Sequence, residues 1–363
     1  MTLFLAGDVM TGRGIDQVLP ASVDPVLFEP YVHDARRYVE LAERANGPIG
    51  VPLALHEPWG DALAELQRAH PDVRIVNLET SVTTHDMPCP GKEIHYRMHP
   101  DNVGVLSAAG IDVCVLANNH VLDFGRPGLR ETMTVLSAAG IRFVGAGRDA
   151  REASAPTEVV TERGRLLVFA CVLRDAGAPA EWQAAVNHEG VAFLPDDSLA
   201  SAEKVVAHVL AHRGMEDRVV VSLHWGGNWG YDVPPSQRAF ARRLVTSGAV
   251  DLVFGHSSHH AKGIEVVDGR GVVYGAGDLL NDYEGIAGHE DVRPDLSLMY
   301  LPTLGASGEL ETFELVPMRL RRFRLERAAP EEARWLARTL ERESREFGTR
   351  VETGEEGRLA LHW

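Results

Sequence analysis

Short runs of apolar, mostly β-branched residues recur along the chain, bounded by glycine and polar clusters. Runs of this length and composition are typical of buried β-strands. They predict eight strands, at 3–6, 73–78, 113–116, 142–144, 166–172, 219–223, 252–254 and 272–274. Between many of them the apolar residues follow a helical period, as at 128–139, where Gly140 follows as a C-cap. The alternation of strands and helices predicts an α/β architecture.

Two segments depart from this alternation. Residues 20–72 contain two amphipathic helical patterns, at about 33–44 and 59–70, and six prolines between positions 20 and 58. They predict a helical insertion after the first strand. Because the insertion follows Asp8, it is a candidate lid or specificity element. Residues 319–325 alternate as an edge strand does, and Pro330 opens a helix that runs to about 347. We therefore predict one domain over 1–318, with a C-terminal strand and helix over 319–363 packed on it.

Composition and charge narrow the class of protein. Of the 363 residues, 45% are hydrophobic and 24% charged, which is ordinary for a globular chain with a large core. The formal net charge of −16 disfavours general nucleic-acid binding, because it repels a polyanion. Cys89, Cys114 and Cys171 form no C-x-x-C pair or dense framework, which suits a reducing compartment. With no signal-like start and no long apolar stretch, we expect a cytoplasmic protein without a membrane anchor.

Unusual polar residues stand where five of the predicted strands end. They are Asp8 after the first strand, Asn77 and Glu79 after the second, Asn118, Asn119 and His120 after the third, and His224 and His256 after two later ones. The carboxyl ends of strands in an α/β sheet meet at one edge, so residues far apart in sequence can converge there. His256, His259 and His260 also cluster on one glycine-led loop, which favours a ligand role.

These residue types suit one chemistry. Carboxylates, an amide oxygen and imidazoles are ligands of hard to borderline divalent metals such as manganese, zinc or iron. So many ligands favour a pair of ions roughly 3.5 to 4 Å apart, and such pairs activate water for attack on a phosphoryl or acyl centre. Each residue alone also has a structural explanation: Asp8 as a cap, Asn119 as an Asx turn, and His224 as a hydrogen-bonded core histidine.

Other residues could complete a substrate pocket. Arg13, Lys92 and Arg97 are candidate anion clamps, because arginine binds phosphate or carboxylate through paired bonds and lysine as a point charge. Trp225, with Trp229 and Tyr231, is a candidate wall. Solvation at the surface explains Lys92 and Arg97 equally well.

Five motifs occur in a fixed order over about residues 3–285. They are Gly7-Asp8-Val9-Met10, Asn77-Leu78-Glu79, Ala117-Asn118-Asn119-His120 with Asp123 and Gly125, His224-Trp225-Gly226, and Gly255-His256-Ser257-Ser258-His259. Together they resemble the CapA family, which is associated with poly-γ-glutamate capsule synthesis and belongs to the calcineurin-like metallophosphoesterase superfamily. The resemblance implies an α/β, metallophosphoesterase-like fold of two stacked β-sheets flanked by helices.

The resemblance also implies roles for single residues. The metals, two divalent ions, would be held by Asp8, Glu79, Asn119, His224, His256 and His259. His120 would be the general acid or transition-state donor, a task that suits an imidazole, and Asp123 would orient it. The chain departs from the pattern at Met10, where many metallophosphoesterases have a histidine ligand, and at Glu79, which replaces their bridging aspartate. Ser257 and Ser258 also replace the more usual His-Pro pair.

The main functional hypothesis is a binuclear metal-dependent hydrolase of a phosphoester or a γ-glutamyl-type amide. Its substrate would be a small acidic or phosphorylated molecule or a γ-glutamyl compound. The alternative is a non-catalytic or accessory component of poly-γ-glutamate synthesis that binds an acidic polymer or a partner. A nucleic-acid phosphodiesterase would need a basic groove, which the net charge of −16 disfavours. The sequence leaves the oligomeric state open.

Overall fold

The computed structural model describes residues 1–363. Its nine helices are α1 Arg13–Val18, α2 Arg36–Asn46, α3 Ala62–Ala69, α4 Gly104–Ala108, α5 Gly125–Ala138, α6 Ala150–Ser154, α7 Leu199–Leu210, α8 Pro235–Thr246 and α9 Pro330–Arg345. None of them combines the length and the apolar character that crossing a lipid bilayer requires.

The strands account for most of the core. They are β1 Leu3–Val9, β2 Val73–Leu78, β3 Ser81–Val82, β4 Arg97–Met98, β5 Val113–Val115, β6 Arg142–Val144, β7 Ala146–Gly147, β8 Thr157–Thr161, β9 Gly164–Leu173, β10 Gly190–Val191, β11 Phe193–Leu194, β12 Arg218–His224, β13 Leu252–His256, β14 Ile264–Val267, β15 Arg270–Val273, β16 Asp278–Leu280, β17 Leu296–Leu304, β18 Leu310–Arg321, β19 Arg324–Arg327, β20 Arg350–Thr353 and β21 Leu359–His362. All eight predicted strands are confirmed, as β1, β2, β5, β6, β9, β12, β13 and β15.

The first sheet has ten strands and two halves. Its order is β20-β21-β18-β17-β1-β2-β5-β6, with β16 also beside β1 and β19 beside β18. From β1 to β6 the strands are parallel, whereas β17, β18, β21 and β20 are antiparallel. The central strand β1 therefore ends among parallel neighbours, at the edge where polar residues follow the strands.

The second sheet has seven strands, in the order β11-β9-β12-β13-β15-β14 with β8 beside β9. In β9, Val168 and Val172 belong to a core shared with the first sheet, whereas Leu167 and Phe169 share a second core with α7 and α8. This period of two is expected of a strand that is buried on both faces. The two sheets thus stack face to face with helices outside them, and the predicted fold class is confirmed.

The segment 20–72 contains α2 and α3, close to the two predicted helices. The predicted second helix starts too early, because Glu57–Trp59 forms a separate 3-10 turn. Ala42 of α2 packs with Ile15 and Val18 of α1 and with Phe323 from the turn between β18 and β19. The middle of the segment is therefore anchored to the first sheet.

The edge strand predicted at 319–325 is wrong. Its first residues end β18, which pairs with β17 on one side and with β19 and β21 on the other. The chain then turns at Arg322 and Phe323, whose φ angles are 54° and 56°, before β19 begins. The boundary predicted between 318 and 319 falls inside β18, and the last 45 residues add strands to the first sheet instead of packing on a finished domain.

Candidate metal centre

Strand register brings four candidate ligands together at one edge of the stacked sheets. In the first sheet, parallel pairing sets Asp8 of β1 directly beside Asp278 of β16. In the second sheet, it sets His224 at the end of β12 directly beside His256 at the end of β13. All four side chains are buried. The stacking of the sheets brings the carboxylate pair against the imidazole pair.

Asp8, His224 and His256 form a first group, in which one ligand atom of each residue lies within 4.8 Å of the others. His256 Nδ1 lies 3.6 Å from Asp8 Oδ1 and 2.8 Å from His224 Nδ1. The opposite ring nitrogens are also held, His256 Nε2 by Ser222 Oγ at 2.8 Å and His224 Nε2 by Asn119 Oδ1 at 3.1 Å. Such outer hydrogen bonds fix the orientation of metal-binding imidazoles.

Asp8, His259 and Asp278 form a second group within the same 4.8 Å limit. His259 Nδ1 lies 2.9 Å from Asp278 Oδ1, and Asn281 Nδ2 donates to Asp278 Oδ2 at 2.8 Å. Asp8 belongs to both groups. Two ligand groups that share one carboxylate are what a bridged pair of metal ions requires.

The carboxylates are crowded and buried. Burial and the neighbouring Asp278 carboxylate raise the pKa of Asp8 to about 7, and burial and Asp8 raise the pKa of Glu79 well above its usual range. Asp8 Oδ2 has no hydrogen-bond partner. A buried carboxylate oxygen is costly unless a cation or a donor compensates it. The carboxylates and the orphaned oxygen therefore fit divalent cations.

The imidazoles of the first group are neutral at physiological pH. Burial, and then the neighbouring imidazole of His256, lower the pKa of His224, and burial lowers the pKa of His256 to about 3. Neutral imidazole is the form that binds metals. His259 differs, because burial, the largest single effect, lowers its pKa, but the carboxylates of Asp278 and Asp8 together outweigh burial and the net shift is upward.

Glu79 and Asn119, the other two predicted ligands, lie beside these groups. Asn77 Nδ2 donates both to Asp8 Oδ1 at 2.7 Å and to Glu79 Oε2 at 3.3 Å. Asn119 Oδ1 contacts the Nε2 atom of His224. Glu79 is part of neither group, and the amide of Asn77 links it to Asp8.

His120 and Asp123 form a buried pair next to the cluster. His120 Nδ1 lies 2.6 Å from Asp123 Oδ2, and His120 Nε2 lies 3.7 Å from Glu79 Oε1. The backbone N–H of Tyr96 also donates to Asp123, at 2.7 Å. Burial lowers the pKa of His120 to about 4, although Asp123 opposes this shift. Asp123 therefore holds Nδ1 while Nε2 faces the candidate ligands, which is the orienting geometry the resemblance implied.

Three of the six predicted substrate residues, Arg13, Lys92 and Trp229, line a cavity of about 660 Å³ beside the cluster. Arg13 and Lys92 are already engaged within the protein. Lys92 Nζ donates to Asp123 and to the carbonyl oxygen of Asn119. Arg13 donates to Glu29 Oε1 at 2.8 Å and pairs with Asp282.

The structure contradicts the substrate assignments of Arg97 and Trp225. Arg97 donates to the carbonyl oxygens of His85, at 2.8 Å, and Asp24, at 3.2 Å, so it ties loops together. The Trp225 side chain is only 2% exposed and packs in the second core. Its Nε1 donates to the carbonyl of Tyr274 at 3.0 Å. His224 faces the candidate ligands, and the next residue, Trp225, projects to the opposite side of the sheet, towards α8.

Asp278 is the site residue that the sequence analysis missed. It begins a strand of only three residues, which is too short to show an apolar pattern. The available signal is the stretch Gly275-Ala276-Gly277 before it, since glycines permit close approach of backbones. Asp278 directly follows Gly277 as Asp8 follows Gly7, and the same pattern predicts a candidate ligand at both positions.

The chain belongs to the family described as "Bacterial capsule synthesis protein PGA_cap", whose sequence profile matches residues 2–283. Among its relatives, a Mycobacterium tuberculosis protein named "Probable polyglutamine synthesis accessory protein" is 47% identical over 357 residues, which cover 97% of this chain and 93% of that protein. "Capsule biosynthesis protein CapA" of Bacillus anthracis is 23% identical over 282 residues, which cover 78% of this chain and 60% of that protein. The family that the five motifs indicated is confirmed.

Among solved structures, a "novel phosphatase" from Mycoplasma pneumoniae aligns with 92% of this chain and 96% of its own, at 12% identity and a TM-score of 0.49.

Proposed function

We propose that the protein is a metal-dependent hydrolase that acts on a phosphoester or a γ-glutamyl-type amide. The observation that carries this proposal is the pair of buried ligand groups that share Asp8. The chemistry that two divalent ions supply in such a site is activation of water for attack on a phosphoryl or acyl centre. Manganese, zinc and iron suit this mixture of carboxylates and imidazoles, which contains no thiolate.

The chain's own residues would position the ions and the reacting bond. Asp8, His224 and His256 would hold one ion, and Asp8, His259 and Asp278 would hold the other. Glu79 and Asn119, which contact Asn77 and His224, would be further ligands. The outer contacts of Ser222 and Asn281 would keep these ligands in place, as supporting hydrogen bonds do in metal sites.

His120 would exchange a proton with the leaving group. Its Nδ1 is held by Asp123 at 2.6 Å, which leaves Nε2 to face the substrate side of the cluster. A general acid must have its proton-bearing atom within reach of the leaving group. Lys92 pairs with the Asp123 carboxylate and thereby fixes the position of the carboxylate that orients His120.

The compartment and the partners are part of the same proposal. Cys89, Cys114 and Cys171 are all free thiols, which suits a reducing compartment such as the cytoplasm. The net charge of −16 argues against a nucleic acid. The substrate bound at the metals would be a small acidic or phosphorylated molecule or a γ-glutamyl compound.

A second candidate is an accessory role without turnover. The name of the Mycobacterium tuberculosis relative, a "Probable polyglutamine synthesis accessory protein", favours it. In that case the cluster would bind an acidic polymer or stabilise the fold. Turnover by the purified protein alone distinguishes the two candidates.

The test is elemental analysis and hydrolysis by the purified wild type beside Asp8→Asn and His224→Ala, prepared without chelator. We expect about two equivalents of manganese, zinc or iron in the wild type. We expect less metal in both variants, together with hydrolysis of phosphoester or γ-glutamyl substrates that falls by at least 100-fold. No bound metal after reconstitution with each ion would refute the hydrolase. Bound metal without turnover on either substrate class would favour the accessory role.

A further inference from the structure

The cavity beside the cluster has aromatic walls. It reaches the candidate ligands Asn119 and His259 and the candidate general acid His120, so a molecule reacting at the metals would extend into it. The rings that line it come from four separate parts of the chain: Tyr31, Tyr38, Tyr96, Trp229, Tyr283 and His289. Five tyrosine and tryptophan rings around one cavity are a strong bias in a chain in which only 7% of the residues are Phe, Trp or Tyr.

One of these rings is held by its neighbours and another is exposed. The indole of Trp229 stacks on His289 with centroids 3.6 Å apart and planes 5° apart, so His289 covers one of its faces, and its centroid lies 5.1 Å from that of His259. Tyr31, in the insertion after the first strand, is 67% exposed at the rim. A ring that enters the cavity from the metal side would therefore meet aromatic side chains, which favour stacking or edge contacts.

The arginine and lysine side chains that line the cavity are already paired with carboxylates of the protein. Arg13 pairs with both Glu29 and Asp282, and Lys92 pairs with Asp123. The remaining charged side chain of the wall, Glu93, is acidic. A chain of carboxylates that extended into this cavity would therefore find no unpaired lysine or arginine there and would be repelled by Glu93.

We propose that the substrate carries an uncharged planar ring in its leaving group, and that this ring lies in the cavity between Trp229 and Tyr31. The inference rests on the proposed function, because the cluster fixes which end of the substrate reacts. It narrows the substrate class to aryl or heteroaryl esters or amides and disfavours an extended γ-glutamyl chain. Burial of a ring against such walls corresponds to roughly a 10- to 100-fold gain in affinity.

The experiment compares equilibrium binding of two phosphonates to the metal-loaded full chain by isothermal titration calorimetry. Phenylphosphonate and methylphosphonate share the charged group and differ in the ring, and tri-γ-glutamate represents the acidic chain. Trp229→Ala and Tyr31→Ala each remove one proposed wall. Trp363→Ala is the matched control, because that tryptophan is 49% exposed at the chain end and does not line the cavity.

We expect phenylphosphonate to bind at least 10-fold more tightly than methylphosphonate. This ratio should fall at least about threefold in Trp229→Ala and in Tyr31→Ala, and should not change in Trp363→Ala. Equal affinities, no measurable binding of phenylphosphonate, or tighter binding of tri-γ-glutamate would overturn the inference. Because binding is measured without turnover, a retained ring preference in a protein that hydrolyses nothing would refute only the proposed function.

Discussion

Asp8 and Asp278 lie side by side but belong to different numbers of ligand groups. Asp8 belongs to both ligand groups, whereas Asp278 belongs to one and is further held by Asn281 at 2.8 Å. Loss of a shared ligand should weaken two sites, and loss of an unshared ligand should weaken one. The two aspartates therefore offer a direct test of whether the cluster holds a bridged pair.

We predict that Asp278→Asn lowers the metal content from about two equivalents to about one, whereas Asp8→Asn loses most of both. Elemental analysis after gel filtration measures this. Asp295→Asn is the control, because that carboxylate pairs with Arg293 outside the cluster. Equal loss of metal in Asp278→Asn and Asp8→Asn would contradict two sites that share one bridge.

At the scale of elements, the site depends on how closely β1 and β16 approach. Asp8 N donates to the carbonyl oxygen of Gly277 at 3.2 Å, just before the register pair of Asp8 and Asp278. A Cβ atom added at Gly7 would lie 1.9 Å from that same carbonyl oxygen. Only glycine at position 7 allows the two strands to bring their carboxylates together.

Gly7→Ala should therefore reduce bound metal by at least half although no ligand is changed, and should lower the free energy of unfolding by roughly 1–3 kcal/mol because the strands must separate. Elemental analysis and urea denaturation measure the two effects. Gly50→Ala is the matched control, since a Cβ there meets nothing within 4 Å. Full metal content in Gly7→Ala would show that the register is not what assembles the cluster.

The position of a strand in its sheet decides whether it could be predicted from the sequence. The eight predicted strands lie in the sheets' buried parts, so their apolar runs are nearly continuous. The long strand β18 escaped recognition because exposed glutamates interrupt its apolar positions, and its last residues alone resembled an edge strand. An apolar pattern also does not show in which direction a side chain points at a strand end. For this reason the pocket role predicted for Trp225 is wrong, and its side chain lies in the core.

Candidate ligands that follow a long apolar run are easier to predict from the sequence than a ligand such as Asp278, which begins a short strand. Asp8, His224 and His256 each follow a clear apolar run. Asp278 follows only glycines and alanine, and its position depends on pairing with β1, which is 270 residues away in sequence. Similarly, the internal neutralisation of Arg13 by Glu29 and Asp282 is a tertiary contact that no local pattern encodes.

At the scale of the whole molecule, the cluster joins the two sheets. Asp8 and Asp278 belong to the first sheet, and His224 and His256 to the second. Without cations, the buried carboxylates of Asp8, Glu79 and Asp278 repel one another on the first sheet's side of the interface, and burial and the Asp278 carboxylate raise the pKa of Asp8. Metal ions bound there would offset that repulsion and would link carboxylates of the first sheet to imidazoles of the second.

Chelation should consequently lower the melting temperature of the wild type. An ion present at 100 times its dissociation constant stabilises the folded state by about 2.7 kcal/mol per site, which for a chain of this length corresponds to roughly 3–4 °C. Asp8→Asn should lose this response, and its metal-free form should melt no lower than the metal-free wild type, because the substitution removes one repelling carboxylate from the interface. Differential scanning calorimetry with and without EDTA measures both proteins. An EDTA response of the same size in Asp8→Asn would place the stabilising ions somewhere other than between the two sheets.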